Sequence, residues 1–174
     1  MPLATPVADV AGRIAEVADR YRHGHDRPLG SYGVLDAVYG AFVVGIGVAA
    51  RRRGRPLPRL SVTDIGLIGT ATHRLARTLA KDPIASPIRM PFTTYKGVSG
   101  PAELREEVVA GGVGHALGEL VTCPFCLAQW VATGFVAGTI FAPRATRLVA
   151  ATLAGVAVSD FLQFAYAGAE QATS

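Results

Sequence analysis

Four apolar segments alternate with polar stretches along the chain and are close to the length that crosses a bilayer. They predict helices at about 33–50, 62–80, 125–142 and 148–167. A helix of 18 residues measures about 27 Å at 1.5 Å per residue, close to the ~30 Å hydrocarbon core of a membrane. The pattern therefore predicts an all-α, polytopic helical membrane protein with three to four transmembrane helices.

An amphipathic pattern precedes the first of these segments, at residues 6–22. Val10, Ile14, Val17 and Tyr21 recur at spacings of three and four, which is typical of a helix with one apolar face. Such a helix either lies in the membrane interface or packs on the rest of the protein. Residues 1–32 are accordingly treated as an amphipathic N-terminal segment.

The stretch at 81–124 is predicted to be a loop at the membrane surface. Pro83 and Pro87 favour extended or turning backbone at its start. A short helix is predicted to begin at Gly100 and to weaken at Gly111 before the chain enters the third span. The chain thus divides into the N-terminal segment, a helical membrane domain at 33–167 and a tail at 168–174.

Small residues recur at helical spacing within the predicted spans. Gly134 and Gly138 form a GxxxG pair in the middle of the third span, and Ala37, Ala41 and Gly45 form a ladder in the first. Small faces let helices approach closely in a bilayer. We therefore expect the lipid bilayer as surroundings, and a homo-oligomer or a membrane-protein partner at these faces.

Composition and charge support the same class. Half of the residues are hydrophobic and 17% are charged, against about 25% in soluble domains. An arginine cluster at 51–55 follows the first span directly, which favours an orientation signal or anionic lipid over nucleic acid. With four spans, ten Lys and Arg residues lie on the side of the termini and seven on the other. That count predicts a multi-pass cell-membrane protein with cytoplasmic termini.

Several charged side chains fall inside or next to the predicted spans. Charges at membrane depth are costly, so they are expected to face a partner. For Asp160 in the last span, the expected partner is Arg74 or Arg77. For Glu119, it is one of these two arginines or Arg89. We expect such pairs to fix helix packing.

The two cysteines, Cys123 and Cys126, enclose Pro124 at the start of the third span and admit three interpretations. A Cys-x-x-Cys at a helix N-terminus gains thiolate character, which suits redox chemistry. Zinc needs four ligands, so His115 and His73 of the same chain, or the cysteines of a second chain, would have to complete a site. Alternatively, the cysteines are small packing residues at a helix entry.

Two blocks of motifs resemble DUF1360, a family of small, uncharacterised bacterial integral membrane proteins. The first block is THRLAR at 72–77, KDPI at 81–84 and PIRMPF at 87–92, and the second is GEL at 118–120, CPFC at 123–126 and WVA at 130–132. The resemblance covers about residues 60–165 and implies a membrane location without an assigned activity. The matching positions are Arg74, Arg77, Asp82, Arg89, Glu119, Cys123, Cys126 and Trp130.

These observations favour a non-enzymatic scaffold or accessory subunit. The sequence contains no Ser-His-Asp set, phosphate-binding loop or HExxH motif that would indicate a known catalytic site. The alternatives are a membrane thiol-redox or zinc-binding protein, and a protein that binds or modifies anionic lipid headgroups through Arg74, Arg77, Arg89 and Asp82. No cofactor is expected except zinc at the cysteines.

Overall fold

A computed structural model describes residues 6–25 and 27–173 of the chain. Helices dominate, and a short 3₁₀ turn at Pro83–Ala85 links two of them. The elements are α1 Pro6–Arg22, α2 Leu29–Arg52, α3 Val62–Lys81, α4 Ser86–Arg89, β1 Thr93–Gly100, β2 Glu103–Val108, α5 Val113–Thr122, α6 Pro124–Phe141 and α7 Pro143–Thr173.

Three of the described helices, α2, α6 and α7, are long and apolar enough to cross a membrane. α3 forms where a fourth span was predicted but does not meet this criterion, because polar and charged residues interrupt its second half. Two boundaries also differ from the prediction. α2 begins at Leu29, before the predicted residue 33, and α7 continues as helix to Thr173 through the predicted tail.

α3 is the helix around which the core is built, since it packs against both α6 and α7. Ile68 and Ala71 of α3 meet Phe135 of α6 and Ala150 of α7 in the buried cluster. Two of these four residues are alanines, so the helix backbones approach closely. Of the four long helices α2, α3, α6 and α7, α3 is thus both the innermost and the least apolar.

Contacts at the two ends of α3 establish its direction. Asp64 in its first turn pairs with Arg147 near the start of α7, and Arg74 pairs with Asp160 further along α7. α3 therefore runs parallel to α7. A single residue, Ala142, separates α6 from α7, and α6 runs the opposite way beside both.

The direction of α2 follows from its aromatic contacts with α6. Tyr39 packs on Trp130, and the Arg53 guanidinium lies over the Phe141 ring. α2 and α6 are therefore parallel. Residues 82–123 and the start of α2 lie at one end of the bundle, which we call the hairpin end. Residues 51–61 and 142–147 lie at the other, which we call the arginine end.

The prediction of a loop and short helix at 93–108 was wrong, because β1 and β2 pair there as an antiparallel hairpin. The turn after Gly100 includes Ala102 with a φ of 56°, a left-handed conformation unsuited to the start of a helix. The all-α class is corrected to a helical fold with one small two-stranded sheet. The following helix, α5, begins only at Val113.

α1 covers the residues of the predicted amphipathic helix. The apolar side chains of Val10, Ile14, Val17 and Tyr21 are between 56% and 70% exposed. The rest of the described chain does not cover this face, and no residue at positions 9–22 belongs to the core.

Candidate functional site

Arg89 is the largest fully buried side chain of the described residues, with 0% exposure. Its guanidinium donates to the backbone carbonyls of Leu79 at 2.7 Å and Asp82 at 3.1 Å. It also forms an ion pair with Glu106 of β2, whose side chain is only 7% exposed. The guanidinium thus satisfies carbonyls at the C-terminal end of α3 and holds the hairpin against them. We call this arrangement the Arg89 clamp.

The other two arginines of the first motif block are paired at the same end. Arg74 contacts Asp82 at 3.0 Å and Asp160 at 3.3 Å. The partner predicted for Asp160 is therefore found, and it is Arg74. Arg77 instead forms an ion pair with Glu103, the first residue of β2.

These pairs bear on the idea that the first motif block binds lipid headgroups. Arg74, Arg77 and Arg89 each contact a carboxylate, and Asp82 is itself one of those partners. A buried guanidinium that already contacts carbonyls and a carboxylate cannot reach an external phosphate. At this end, the geometry joins α3, α7 and the hairpin to one another.

Glu119 of α5 does not pair with the arginines predicted for it. Its carboxylate accepts a hydrogen bond from the Tyr32 hydroxyl at 2.5 Å and one from Arg27 at 3.3 Å. His115, one turn earlier in α5, lies 3.5 Å away. The arginines of the first block are satisfied by nearer carboxylates, so the N-terminal part of the chain supplies the partners of Glu119.

A cavity of about 270 Å³ lies beside this carboxylate, between α2, α5 and α6. Trp130 forms one wall and packs edge-to-face on Tyr39, with ring centroids 5.0 Å apart. The polar residues in its lining are Tyr32, Asp36, Tyr39, Glu119, Cys126 and Gln129. Three positions of the second motif block, Glu119, Cys126 and Trp130, thus share one cavity with α2.

The α2 residues of this cavity were not predicted from the sequence. Tyr32, Asp36 and Tyr39 follow at spacings of four and three, which places them on one face of a helix. A polar stripe on an otherwise apolar helix is a signal that could have identified them.

The cysteines lie at the start of α6, where Cys123 is the N-cap residue. Its sulfur accepts a hydrogen bond from the Cys126 amide at 3.2 Å, and Pro124 occupies the first helical position. Both thiols are free, with Cys123 half-buried and Cys126 exposed. The sulfur of Cys123 therefore takes the place of the oxygen that usually caps a helix N-terminus.

The histidines considered as zinc ligands lie apart from each other. His73 stacks on Phe161 of α7 with ring centroids 6.0 Å apart, whereas His115 lies next to Glu119. Within residues 6–25 and 27–173, no group of three or more His, Cys, Asp or Glu side chains is placed to hold a metal ion. One chain does not assemble the Cys₂His₂ set in this structure.

The arginine end has a different electrostatic character. Asp64 is the acidic residue of this end, in the first turn of α3 and before its apolar section. The Asp64 carboxylate accepts hydrogen bonds from the Ser61 hydroxyl at 2.7 Å, the Ser61 amide at 3.1 Å and the Arg147 guanidinium at 2.5 Å. Arg147 is therefore neutralised by the Asp64 carboxylate. Arg59 and Arg144 form no ion pair with any described residue.

Comparison with known proteins gives one match. A family model described as a protein of unknown function, DUF1360, matches residues 67–166, which is more than half of the 174 residues. No curated protein and no solved structure is significantly similar to the chain. The matched region contains both motif blocks and leaves α1 and α2 outside.

Proposed function

The chain belongs to the DUF1360 family, and we propose that it is a non-enzymatic integral membrane protein that serves as a scaffold or accessory subunit. In this proposal, α2, α6 and α7 cross the bilayer. The Arg89 clamp fixes the hairpin on the end of α3, where it presents a defined surface to a partner.

The exposed apolar belt of the long helices carries the proposal. Val38 and Val44 of α2 and Val149, Phe161 and Leu162 of α7 are between 51% and 65% exposed. Soluble monomers rarely leave a contiguous apolar surface of this kind uncovered. Lipid tails and other apolar helices are the surroundings in which it is stable.

α3 is proposed to cross with them, shielded inside the bundle. α2 ends at the arginine end, and α6 begins at the hairpin end. α3, which is parallel to α7, is therefore the helix that returns the chain from the arginine end to the hairpin end. Its charges at depth are paired, as Arg74 is with Asp160. Buried, paired charges are the form in which ionisable residues persist in membranes. Both termini then lie on the same side, and their cytoplasmic placement stays a prediction.

Reporter fusions test this topology. We expect alkaline phosphatase and green fluorescent protein fused after Leu57 to report the side opposite to the same reporters fused after Thr173. The protein should also stay in the membrane pellet after alkaline carbonate extraction. Release by carbonate would overturn the membrane location, and equal reporter signals at the two sites would overturn the crossing of α3.

Photo-crosslinking tests the scaffold role. A photoreactive amino acid at Tyr95, which is 59% exposed on β1, should capture one discrete protein in cells, whereas the same group at Leu57 should not. Adducts that are equal at both positions, or none at Tyr95, would refute a partner at the hairpin.

A role for the cysteines in redox or zinc chemistry is the second candidate. The observation that favours it is the exposed thiol of Cys126, which lines the cavity beside Glu119. Thiol labelling in cells under reducing and oxidising conditions should then show a change of state at both cysteines. Unchanged labelling and no zinc in the purified protein would eliminate this candidate.

A further inference from the structure

A second and larger cavity lies at the arginine end. It measures about 550 Å³ and opens between the 58–60 segment, α3, the end of α6 and the start of α7. Its volume lies within the ~300–1,000 Å³ of typical small-molecule sites. The walls are mostly apolar, and they include Leu60, Leu67, Ile68, Thr139, Leu148 and Ala151.

Three arginines, Arg59, Arg144 and Arg147, are among the residues that line this cavity. Arg59 and Arg144 are exposed and, among the described residues, no carboxylate is paired with either. Asp64 also lines the cavity, but Arg147 and Ser61 already bind it. The positive charge at the opening is therefore uncompensated within the described chain.

The surrounding segments add to this positive charge. Seven arginines and no acidic residue occupy 51–61 and 142–147, namely Arg51, Arg52, Arg53, Arg55, Arg59, Arg144 and Arg147. The N-terminus of the 31-residue α7 lies at the same place and adds the positive end of a helix dipole. The electrostatic field of this end therefore attracts anions over a long distance.

The combination of an apolar cavity and free guanidinium groups specifies the ligand. Guanidinium groups bind phosphate in a paired, directional way, and basic pockets between membrane helices bind anionic headgroups. The acyl chain of a lipid is an apolar group that can cover the cavity walls and exclude water from them. A soluble anion would leave the cavity empty, and an uncharged lipid would leave Arg59 and Arg144 unpaired.

We propose that this cavity is a binding site for one anionic phospholipid, with its phosphate at Arg59 and Arg144 and an acyl chain between α3 and α7. The proposal rests on the membrane location proposed above. It is independent of a protein partner at the hairpin and of any chemistry at the cysteines.

Native mass spectrometry of the full chain in detergent tests the site, with dioleoyl phosphatidylglycerol and dioleoyl phosphatidylcholine as probes. We expect Arg59→Gln/Arg144→Gln to weaken phosphatidylglycerol binding about 30-fold, since each guanidinium contact with the phosphate contributes about fivefold. The matched control, Arg51→Gln/Arg55→Gln, removes the same charge outside the cavity and should lose less than about fivefold. Phosphatidylcholine carries the same phosphate, but its trimethylammonium group is repelled by the arginines of this end, so it should bind weakly to all three proteins.

A second pair of variants tests the acyl position. Ala151→Phe fills the cavity and should weaken phosphatidylglycerol binding, whereas Leu162→Phe adds an aromatic ring to an exposed part of α7 and should not. Equal losses in the two arginine pairs, or full binding by Ala151→Phe, would overturn the proposal. Release of the protein by alkaline carbonate would instead refute the membrane location, so the two failures are distinguishable.

Discussion

Replacing Arg89 with methionine tests whether the clamp holds α3 and the hairpin together. Methionine keeps most of the apolar stem and removes the guanidinium. The Glu106 carboxylate would then remain buried without its partner, and the carbonyls of Leu79 and Asp82 would lose a donor. Removing one partner of a buried ion pair costs about 3–5 kcal/mol. An unsatisfied buried carbonyl adds about 1–3 kcal/mol.

We therefore expect Arg89→Met to lower the free energy of unfolding by about 5 kcal/mol. This is comparable with the whole stability of a small domain, about 5–15 kcal/mol. The measurement is denaturant unfolding of the purified protein in mild detergent, with hydrogen exchange of the β1 and β2 amides as a local readout. A loss below about 1 kcal/mol would refute the clamp, since a surface arginine contributes that little.

The double variant Arg89→Met/Glu106→Leu separates loss of the pair from a general failure to fold. With both charges gone, no unpaired buried carboxylate remains. The double variant should therefore be more stable than Arg89→Met alone. If the double variant is instead less stable than Arg89→Met, the two side chains act independently. The loss in Arg89→Met would then not come from an unpaired Glu106 carboxylate.

Two further predictions concern α6. Gly138→Ala should destabilise the protein by about 1–3 kcal/mol in the same unfolding assay, because the added Cβ would lie 2.4 Å from the Thr146 hydroxyl oxygen. Gly134→Ala, which meets nothing within 4 Å, should be neutral or stabilising; equal effects would contradict close packing at Gly138. Cys123→Ala should cost about 1 kcal/mol through loss of the N-cap, whereas Cys123→Ser should keep the stability because its hydroxyl can accept the Cys126 amide. Loss of co-purified zinc from Cys123→Ser would contradict a purely structural role.

The long helices could be predicted from the sequence because each is defined by its own local pattern. The apolar runs that form α2, α6 and α7 need no knowledge of their neighbours. α3 was predicted as a helix for the same reason. Its lower hydropathy follows from Arg74 and Arg77, whose partners Asp160 and Glu103 lie far along the chain.

The hairpin could not be recognised because its buried face carries a charge. Along β2, Glu106 is directed inward while Arg105 and Glu107 are more exposed. A run of charged residues with one member buried does not show the alternation that identifies a strand. The reason that Glu106 is tolerated is Arg89, 17 positions earlier, and a local pattern cannot contain that information.

The candidate cavity at Glu119 could not be predicted either, because its residues come from distant segments of the chain. The sequence identified Glu119, Cys126 and Trp130 as positions of one motif block. It did not show that Tyr32 and Tyr39 of α2 would complete the site. Those contacts depend on α2 running parallel to α6, which follows from the three-dimensional arrangement of the bundle.

The Arg89 clamp also has a consequence for the order of assembly during synthesis. The end of α3, Arg89 and Glu106 leave the ribosome one after another, and closing loops of this size takes well under a microsecond. The clamp needs no residue after the hairpin. The clamp itself can therefore form while α6 and α7 are still being translated, whereas the pair between Arg74 and Asp160 forms only after α7 has been made.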